Sequence, residues 1–164
     1  MKITTPPLDK ILISACFLGQ RVRYNGEIKS FTNPTLEKWR QEGRLVAICP
    51  EVISGLPVPR APAEINPKTN KVITIENIDV TKQFNYGAKQ ALDLCKKHKI
   101  KFALLKESSP SCGSQVIYDG SFSQQKIAGE GVTTKLLRQH GIMVFSEDTI
   151  ALLAEQIKDS DPTS

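Results

Sequence analysis

The sequence predicts an α/β fold with a mainly parallel central sheet, because strand-like and helix-like segments alternate along the chain. Short apolar runs at 11–16, 45–49, 102–106 and 142–145 are typical of buried strands. Segments with helical periodicity or helix-capping residues lie between most of these runs. Such alternation produces right-handed βαβ units whose helices cover both faces of the sheet. We therefore expect a Rossmann-like three-layer sandwich with a small hairpin insertion.

The first half of the chain contains two of the strands. After strand 11–16, a helix is predicted from Asn33-Pro34, where Asn caps and Pro occupies the first turn, to a stop at Gly43. Strand 45–49 follows. The proline-rich stretch 50–62 predicts a stiff loop, since proline fixes the backbone and removes donors. Residues 64–76 are typical of a small hairpin that turns at 66–70.

The second half begins with the longest predicted helix, 81–98. Its apolar residues recur with the 3.6-residue period, at Phe84, Ala88, Ala91, Leu92 and Cys95. Strand 102–106 and a polar turn around 118–120 come next. A helix is then predicted from Gly131 to Gly141, and Ser146 after strand 142–145 is expected to cap the last helix. Only the tail 159–164 is predicted to be disordered.

Length and composition indicate one domain of ordinary size, residues 1–164, with a core at about 10–158. No apolar run approaches the roughly 20 residues of a membrane span, and the N-terminus lacks the features of a signal peptide. We therefore expect a cytoplasmic protein whose thiols stay reduced. The net charge of +5 includes a basic run at 96–101 that suits a helix carboxyl end, which disfavours nucleic acid as a partner.

Three of the four cysteines follow strand-like runs. Cys16, Cys49 and Cys112 come after the first, second and third predicted strands, beside turn-forming residues. The carboxyl ends of parallel strands meet at one crevice, so these three thiols are expected to converge. Cys95 differs, because it falls on the apolar face of the long helix and is expected to be a small core residue.

Three thiolates indicate a soft metal centre with an open coordination position. Zinc and iron–sulfur clusters both select such ligands. Structural zinc normally takes four ligands with closely spaced cysteine pairs, and no such pair is present. A [4Fe–4S] cube normally takes four thiolates, so three would leave one iron open. Spacing alone leaves both metals possible.

Several longer strings extend the pattern beyond the cysteines. They are ISACFLG (13–19), VRYNG (22–26), CPEV (49–52), GLPVPR (55–60), SPSCG (109–113), IYDG (117–120), GEGVT (129–133) and VFSE (144–147). In this order, over roughly residues 10–155, they resemble the DUF523 family in its stand-alone form, a family that includes bacterial thiouracil desulfidases. The chain departs from the expected family pattern at Phe17 and Asn25.

The resemblance implies an enzyme that desulfurates a thiolated pyrimidine without redox change, converting 2-thiouracil to uracil and sulfide. It implies a [4Fe–4S] cluster held by Cys16, Cys49 and Cys112, with the fourth iron open to the substrate sulfur. The resemblance also makes Ser109, and then Ser108, the expected catalytic serines, although serines beside proline are ordinary turn formers as well.

Other site residues follow from their place near the predicted crevice. Glu51, two residues after Cys49, is the expected general base, or else it caps a helix or pairs with an arginine. Arg23 and Arg60 are candidates for substrate binding that can equally pair with carboxylates. Tyr24 either stacks on a base or packs beneath its loop, and Ser111 is a further candidate for substrate contact. The amides of 129–131 either bind an electronegative group or form only a tight turn.

Two other functions are compatible with these residues. A low-pKa cysteine nucleophile would need an activating histidine, yet His98 and His140 fall at helix ends away from the predicted crevice. An iron–sulfur or zinc module that senses redox state or carries sulfur would use the same thiols without turnover. The expected small-molecule partner is a thiolated pyrimidine, and no membrane partner is expected.

Overall fold

The computed structural model describes residues 8–19, 25 and 31–161. Its centre is a four-stranded sheet in the order β2-β1-β5-β8, with the strands numbered along the chain. The strands are β1 (Ile11–Ser14), β2 (Leu45–Ile48), β5 (Phe102–Leu104) and β8 (Met143–Phe145). All three pairings are parallel, so the predicted parallel α/β architecture is confirmed.

Five helices accompany the sheet within the described residues. They are α1 (Pro34–Gln41), α2 (Pro50–Ile53), α3 (Thr81–His98), α4 (Val132–Gln139) and α5 (Ile150–Ser160). A 3-10 turn (Ala15–Leu18) follows β1, and another (Glu147–Thr149) precedes α5. Among these residues, no helix has the length and apolar character needed to cross a bilayer.

The alternation of side chains along each strand produces the three layers. Ile11 and Ile13 of β1 pack with one cluster, which includes Leu36 of α1 and Leu153 of α5. Leu12 points to the other face and belongs to the cluster that contains side chains of α3 and α4. Since successive strand residues point to opposite faces, a strand buried on both sides reads as a continuous apolar run.

The helix predictions agree closely with the structure. The Asn33 side chain accepts the Thr35 amide at 2.8 Å and so caps α1, with Pro34 in the first turn. Helix α3 has the predicted bounds, and all five residues of its apolar face are buried. Ser146 caps the 3-10 turn that leads into α5, rather than α5 itself.

Two predictions for the loops and the tail were wrong. The stretch 50–62 begins with helix α2, because Pro50 occupies the first helical position, where its missing N–H costs nothing. Helix α5 continues through residue 160 into the predicted tail, and the carboxylate of Asp161 accepts a hydrogen bond from the buried Arg44 at 2.8 Å. A buried guanidinium needs an anionic partner, which orders this end of the chain.

In the part of the chain that the structure describes, two small hairpins lie outside the main sheet. The predicted one pairs β3 (Ala63–Ile65) with β4 (Val72–Thr74) in antiparallel fashion. The second pairs β6 (Val116–Tyr118) with β7 (Lys126–Ala128), where the sequence had predicted only a polar turn. Each strand has only three residues, and a polar connection of seven residues separates them, so the alternation of apolar and polar residues is too short to detect. The one local signal is Val116-Ile117-Tyr118, a triplet of residues that favour strands.

Candidate metal and substrate site

The three predicted thiols follow three adjacent strands of the sheet. Cys16 lies in the 3-10 turn after β1, Cys49 is the residue that caps α2 after β2, and Cys112 lies in the loop after β5. These strands are neighbours in the order β2-β1-β5. Their parallel direction therefore brings all three thiols to the same edge of the sheet.

A cavity of ≈ 480 Å³ lies at this edge, and all three cysteines line it. Cys16 and Cys112 are buried at 9% and 5% exposure, and none of the four cysteines forms a disulfide. Cys95 does not line the cavity. It packs in the core on α3, where burial raises its pKa to about 11, so the structural role predicted for it is supported.

The electrostatics of the donor set fit a cationic centre. Burial raises the pKa of the Cys112 thiol, and the negative charges of Cys49, Glu51 and Cys16 raise it further. Burial also raises the pKa of Cys49. Thiolates are the form that binds metal, so Cys49 and Cys112 need a compensating positive charge nearby before both can be deprotonated.

A single metal ion and a cluster require different arrangements of their protein ligands. Within the described ranges, no group of three His, Cys, Asp or Glu side chains is arranged to hold a single metal ion. The ligands of one zinc all lie about 2.3 Å from the same ion. The thiolates of a cube bind different irons, so a cluster does not need its ligands to meet at one point.

Glu51 reaches the same cavity from the first turn of α2. The Nε of Arg60 donates to its Oε1 at 3.2 Å, and the side chains of Glu51 and Arg60 are 18% and 7% exposed. Both residues line the cavity, so the arginine orients the carboxylate rather than removing it from the site. Helix α2 itself rests on α3 at Gly87, where an added Cβ would lie 2.1 Å from the carbonyl oxygen of Pro50.

The serines of the Cys112 loop have different environments. Ser109 lines the cavity, and its Oγ accepts the amides of Ser111 and Cys112 at 3.0 and 3.2 Å. Two accepted bonds occupy the oxygen lone pairs and leave the O–H as a donor. Ser108 also lines the cavity and has a left-handed backbone with φ 69°.

Ser111 lies behind the lining of the cavity. It is fully buried, it does not line the cavity, and its hydroxyl shares a hydrogen bond with that of Thr133 at 2.9 Å. This geometry favours a structural role over the predicted substrate contact. Arg23 and Tyr24, the other predicted substrate-binding residues besides Arg60, lie outside the described residues.

The amino end of α4 holds the Cys112 loop. The amides of Gly131, Val132 and Thr133 donate to the carbonyls of Gly113, Pro110 and Ser111, each at 2.8 Å. An added Cβ at Gly131 would lie 2.4 Å from the Ser111 carbonyl, so the approach requires glycine. These amides therefore bind the loop, and the alternative of an electronegative ligand at 129–131 is not supported.

Glu107 organises the other side of this loop. Its Oε1 accepts four backbone amides, those of Ser108, Ser114, Gln115 and Val116, and its Oε2 accepts the Ser114 hydroxyl at 2.6 Å. The backbone amide of Glu107 donates to Glu147, which also pairs with Lys106 at 2.7 Å. Glu107 is 6% exposed. Burial opposes its charge, but these hydrogen bonds outweigh burial and lower its pKa to about 2.

We expect Glu107 to make folding stability depend on pH. The pKa is about 2 in the folded protein and 4.5 in the reference state, so the stabilisation is complete above pH 4.5 and is lost as the pH falls toward 2. This difference corresponds to at most about 3 to 4 kcal/mol. Urea unfolding of Glu107→Gln between pH 7 and 3 should show a flatter dependence than wild type. Glu155→Gln, exposed on α5, is the control, and equal slopes for wild type and Glu107→Gln would contradict the prediction.

Sequence reasoning missed several residues that line the cavity. Lys106 and Glu107 follow β5 after one intervening residue, and the rule that places ligands at strand ends can find them. Six more lie in or beside the hairpins and had no local signal: Glu64, Ile75, Tyr118, Phe122, Gln124 and Lys126. The β6–β7 hairpin brings four of these six residues to the cavity.

Comparison with known proteins agrees with the predicted resemblance. The model of the 2-thiouracil desulfurase family matches residues 11–149. The uncharacterized protein YbbK of Bacillus subtilis (strain 168) is 40% identical over 148 residues, which is 85% of this chain and 97% of YbbK. The solved structure of the [4Fe-4S]-dependent thiouracil desulfidase TudS aligns with a TM-score of 0.88 and 52% identity, covering 92% of this chain and 98% of that one. Match, identity and coverage together show that the chain belongs to the 2-thiouracil desulfurase family.

Proposed function

We propose that this protein is a [4Fe–4S]-dependent desulfidase that converts 2-thiouracil to uracil and sulfide, with Cys16, Cys49 and Cys112 as the cluster ligands. The observation that carries the proposal is the meeting of these three thiols, which form no disulfide, in one cavity beside Glu51. Family membership and the likeness to TudS support the reaction and the cofactor. The family match over 11–149 supports one catalytic domain, and the absence of disulfides among the four cysteines fits a cytoplasmic location.

The overall reaction exchanges sulfur for oxygen at one carbon. One water is consumed, one hydrogen sulfide is released, and no net electrons are transferred. When bound, the cluster supplies a Lewis acid that polarises the carbon–sulfur bond. The chain must then activate a water, aim it at the carbon and hold the ring.

We assign proton removal from the water to Glu51. Arg60 donates to Oε1 and so fixes the plane of the carboxylate, and the second oxygen is the one assigned to the water. General base catalysis of this kind typically contributes about 10²–10⁴-fold. Arg60 is thus assigned a positioning role in place of direct substrate binding.

Ser109 is assigned as the hydrogen-bond donor to the substrate. Its lone pairs face the amides of Ser111 and Cys112, so the position of its hydroxyl is tied to that of the Cys112 thiol. Ser108 is the second candidate because it also lines the cavity. Both serines remain proposals, as do the roles of Arg23 and Tyr24.

Protein purified without oxygen tests the proposal. We expect about four irons per chain, a broad visible absorbance typical of a cluster, and loss of the thiocarbonyl absorbance of 2-thiouracil on turnover. A zinc centre, or a cluster without turnover, would overturn the desulfidase function. The second of these results would favour a sensor or sulfur-carrier module.

A further inference from the structure

The cavity has a second wall that the proposed chemistry does not use. The thiols, Glu51 and the serines come from the carboxyl edge of the main sheet. The second wall comes largely from the β6–β7 hairpin, with Tyr118, Phe122, Gln124 and Lys126. A ring whose sulfur reaches the thiols must present its remaining atoms to other parts of the lining.

The turn of this hairpin has an unusual backbone conformation and is held by a carboxylate of the other hairpin. Phe122 and Gln124 have left-handed backbones, with φ 56° and 63°. Such conformations are costly for residues with large side chains and persist only where the surroundings hold them. Here Glu64 of β3 holds the turn, since its Oε1 accepts the amides of Gly120 and Phe122 at 2.9 and 3.2 Å.

The side chains of the turn suit a planar base. Phe122 is half-buried at the cavity and offers a flat aromatic face, on which unstacked bases commonly bind. Gln124 is exposed at the cavity and carries both a donor and an acceptor on one amide. In uracil, the oxygen on carbon 4 accepts a hydrogen bond and the neighbouring N3–H donates one. These two groups can therefore pair with the donor and the acceptor of the amide.

We propose that the β6–β7 turn is the element that recognises the pyrimidine, with Phe122 stacked on the ring and the Gln124 amide paired with O4 and N3–H. The assignment rests on the proposed desulfidase function, because sulfur at carbon 2 is what directs the ring toward the thiols. Phe122 and Gln124 are then residues that determine specificity.

Gln124→Glu tests the pairing, because a carboxylate accepts hydrogen bonds but does not donate them. Uracil and cytosine are titrated separately into the anaerobic holoenzyme by calorimetry, and KM and kcat are measured for 2-thiouracil. A bidentate amide–base pair implies that the uracil Kd and the KM rise about 5- to 150-fold. The affinity for cytosine should fall as well, because one carboxylate oxygen would then face its ring nitrogen 3, which accepts hydrogen bonds and carries no hydrogen.

Two further variants separate recognition from general disturbance. Phe122→Leu should weaken uracil and cytosine alike, since stacking does not distinguish the two bases. Gln125→Glu introduces the same charge one residue along, at an exposed side chain that does not line the cavity, and should behave as wild type. Iron content and visible absorbance should be unchanged in all three variants.

The possible failures are distinct. Wild-type values of the uracil Kd and the KM in Gln124→Glu, with normal 2-thiouracil turnover, would overturn the hairpin assignment alone. An equal rise of the uracil Kd in Gln125→Glu would assign the effect to the added charge alone and would overturn the pairing with O4 and N3–H. A cluster-loaded wild type that neither turns over 2-thiouracil nor binds uracil would overturn the proposed function, and this assignment with it.

Discussion

Cys16→Ala, Cys49→Ala and Cys112→Ala are each expected to lose the cluster and all 2-thiouracil turnover. The three thiols line one cavity and follow three adjacent strands, and in the proposed assignment each would bind a different iron of the cluster. Removing one leaves two irons without a protein ligand. Iron and acid-labile sulfide content, visible absorbance and turnover of anaerobically purified protein measure the effect.

Cys95→Ala is the matched control for this series. Its sulfur packs in the core between the sheet and α3 and does not line the cavity. We expect roughly 1 kcal/mol of lost stability from the vacated volume, with iron content unchanged. Wild-type iron content in any of the three ligand variants, or loss of iron in Cys95→Ala, would contradict the ligand assignment.

Glu51→Gln is expected to lower kcat by about 10²–10⁴-fold while the cluster is retained. Glutamine keeps the size of the side chain and an oxygen for the hydrogen bond from Arg60, but it cannot take a proton from water. The KM for 2-thiouracil should change little, since the proposed role of Glu51 lies in the chemical step rather than in binding the ring. Steady-state kinetics and the visible spectrum of the same preparation measure the two effects.

The result for Glu51 distinguishes catalysis from structure. Loss of the cluster together with activity would make Glu51 a structural residue of α2. Unchanged kcat would assign the base to another group. Glu76→Gln, exposed in the turn after β4 and absent from the cavity lining, controls for the loss of a negative charge and should keep wild-type kinetics.

The loop that carries Cys112 is anchored by several residues other than Cys112, so substitutions of those residues should also affect the site. Cys112 lies in a loop held on one side by the amides of α4 and on the other by the carboxylate of Glu107. Glu107 is joined through its backbone to Glu147, which follows β8. Both ends of the loop are therefore tied to elements that flank the sheet.

Local sequence signals determined the helices and most strands. The Asn33-Pro34 start of α1, the periodic face of α3 and the continuous apolar runs of β1 and β5 depend on neighbours within a few residues, which is why they can be read directly. Position after a strand also identified the three thiols, because parallel strands end at a common edge. The long ordered motifs then indicated the family.

Only the tertiary structure decided how the remaining residues are used. Ser111 and Ser109 are two positions apart in one loop, yet Ser111 is buried against Thr133 whereas Ser109 lines the cavity. The amides of 131–133 bind the Cys112 loop, and Gln124 reaches the cavity through a hairpin with little sequence signal. These outcomes depend on contacts between residues far apart in the chain, such as Glu64 with Phe122, which local patterns do not encode.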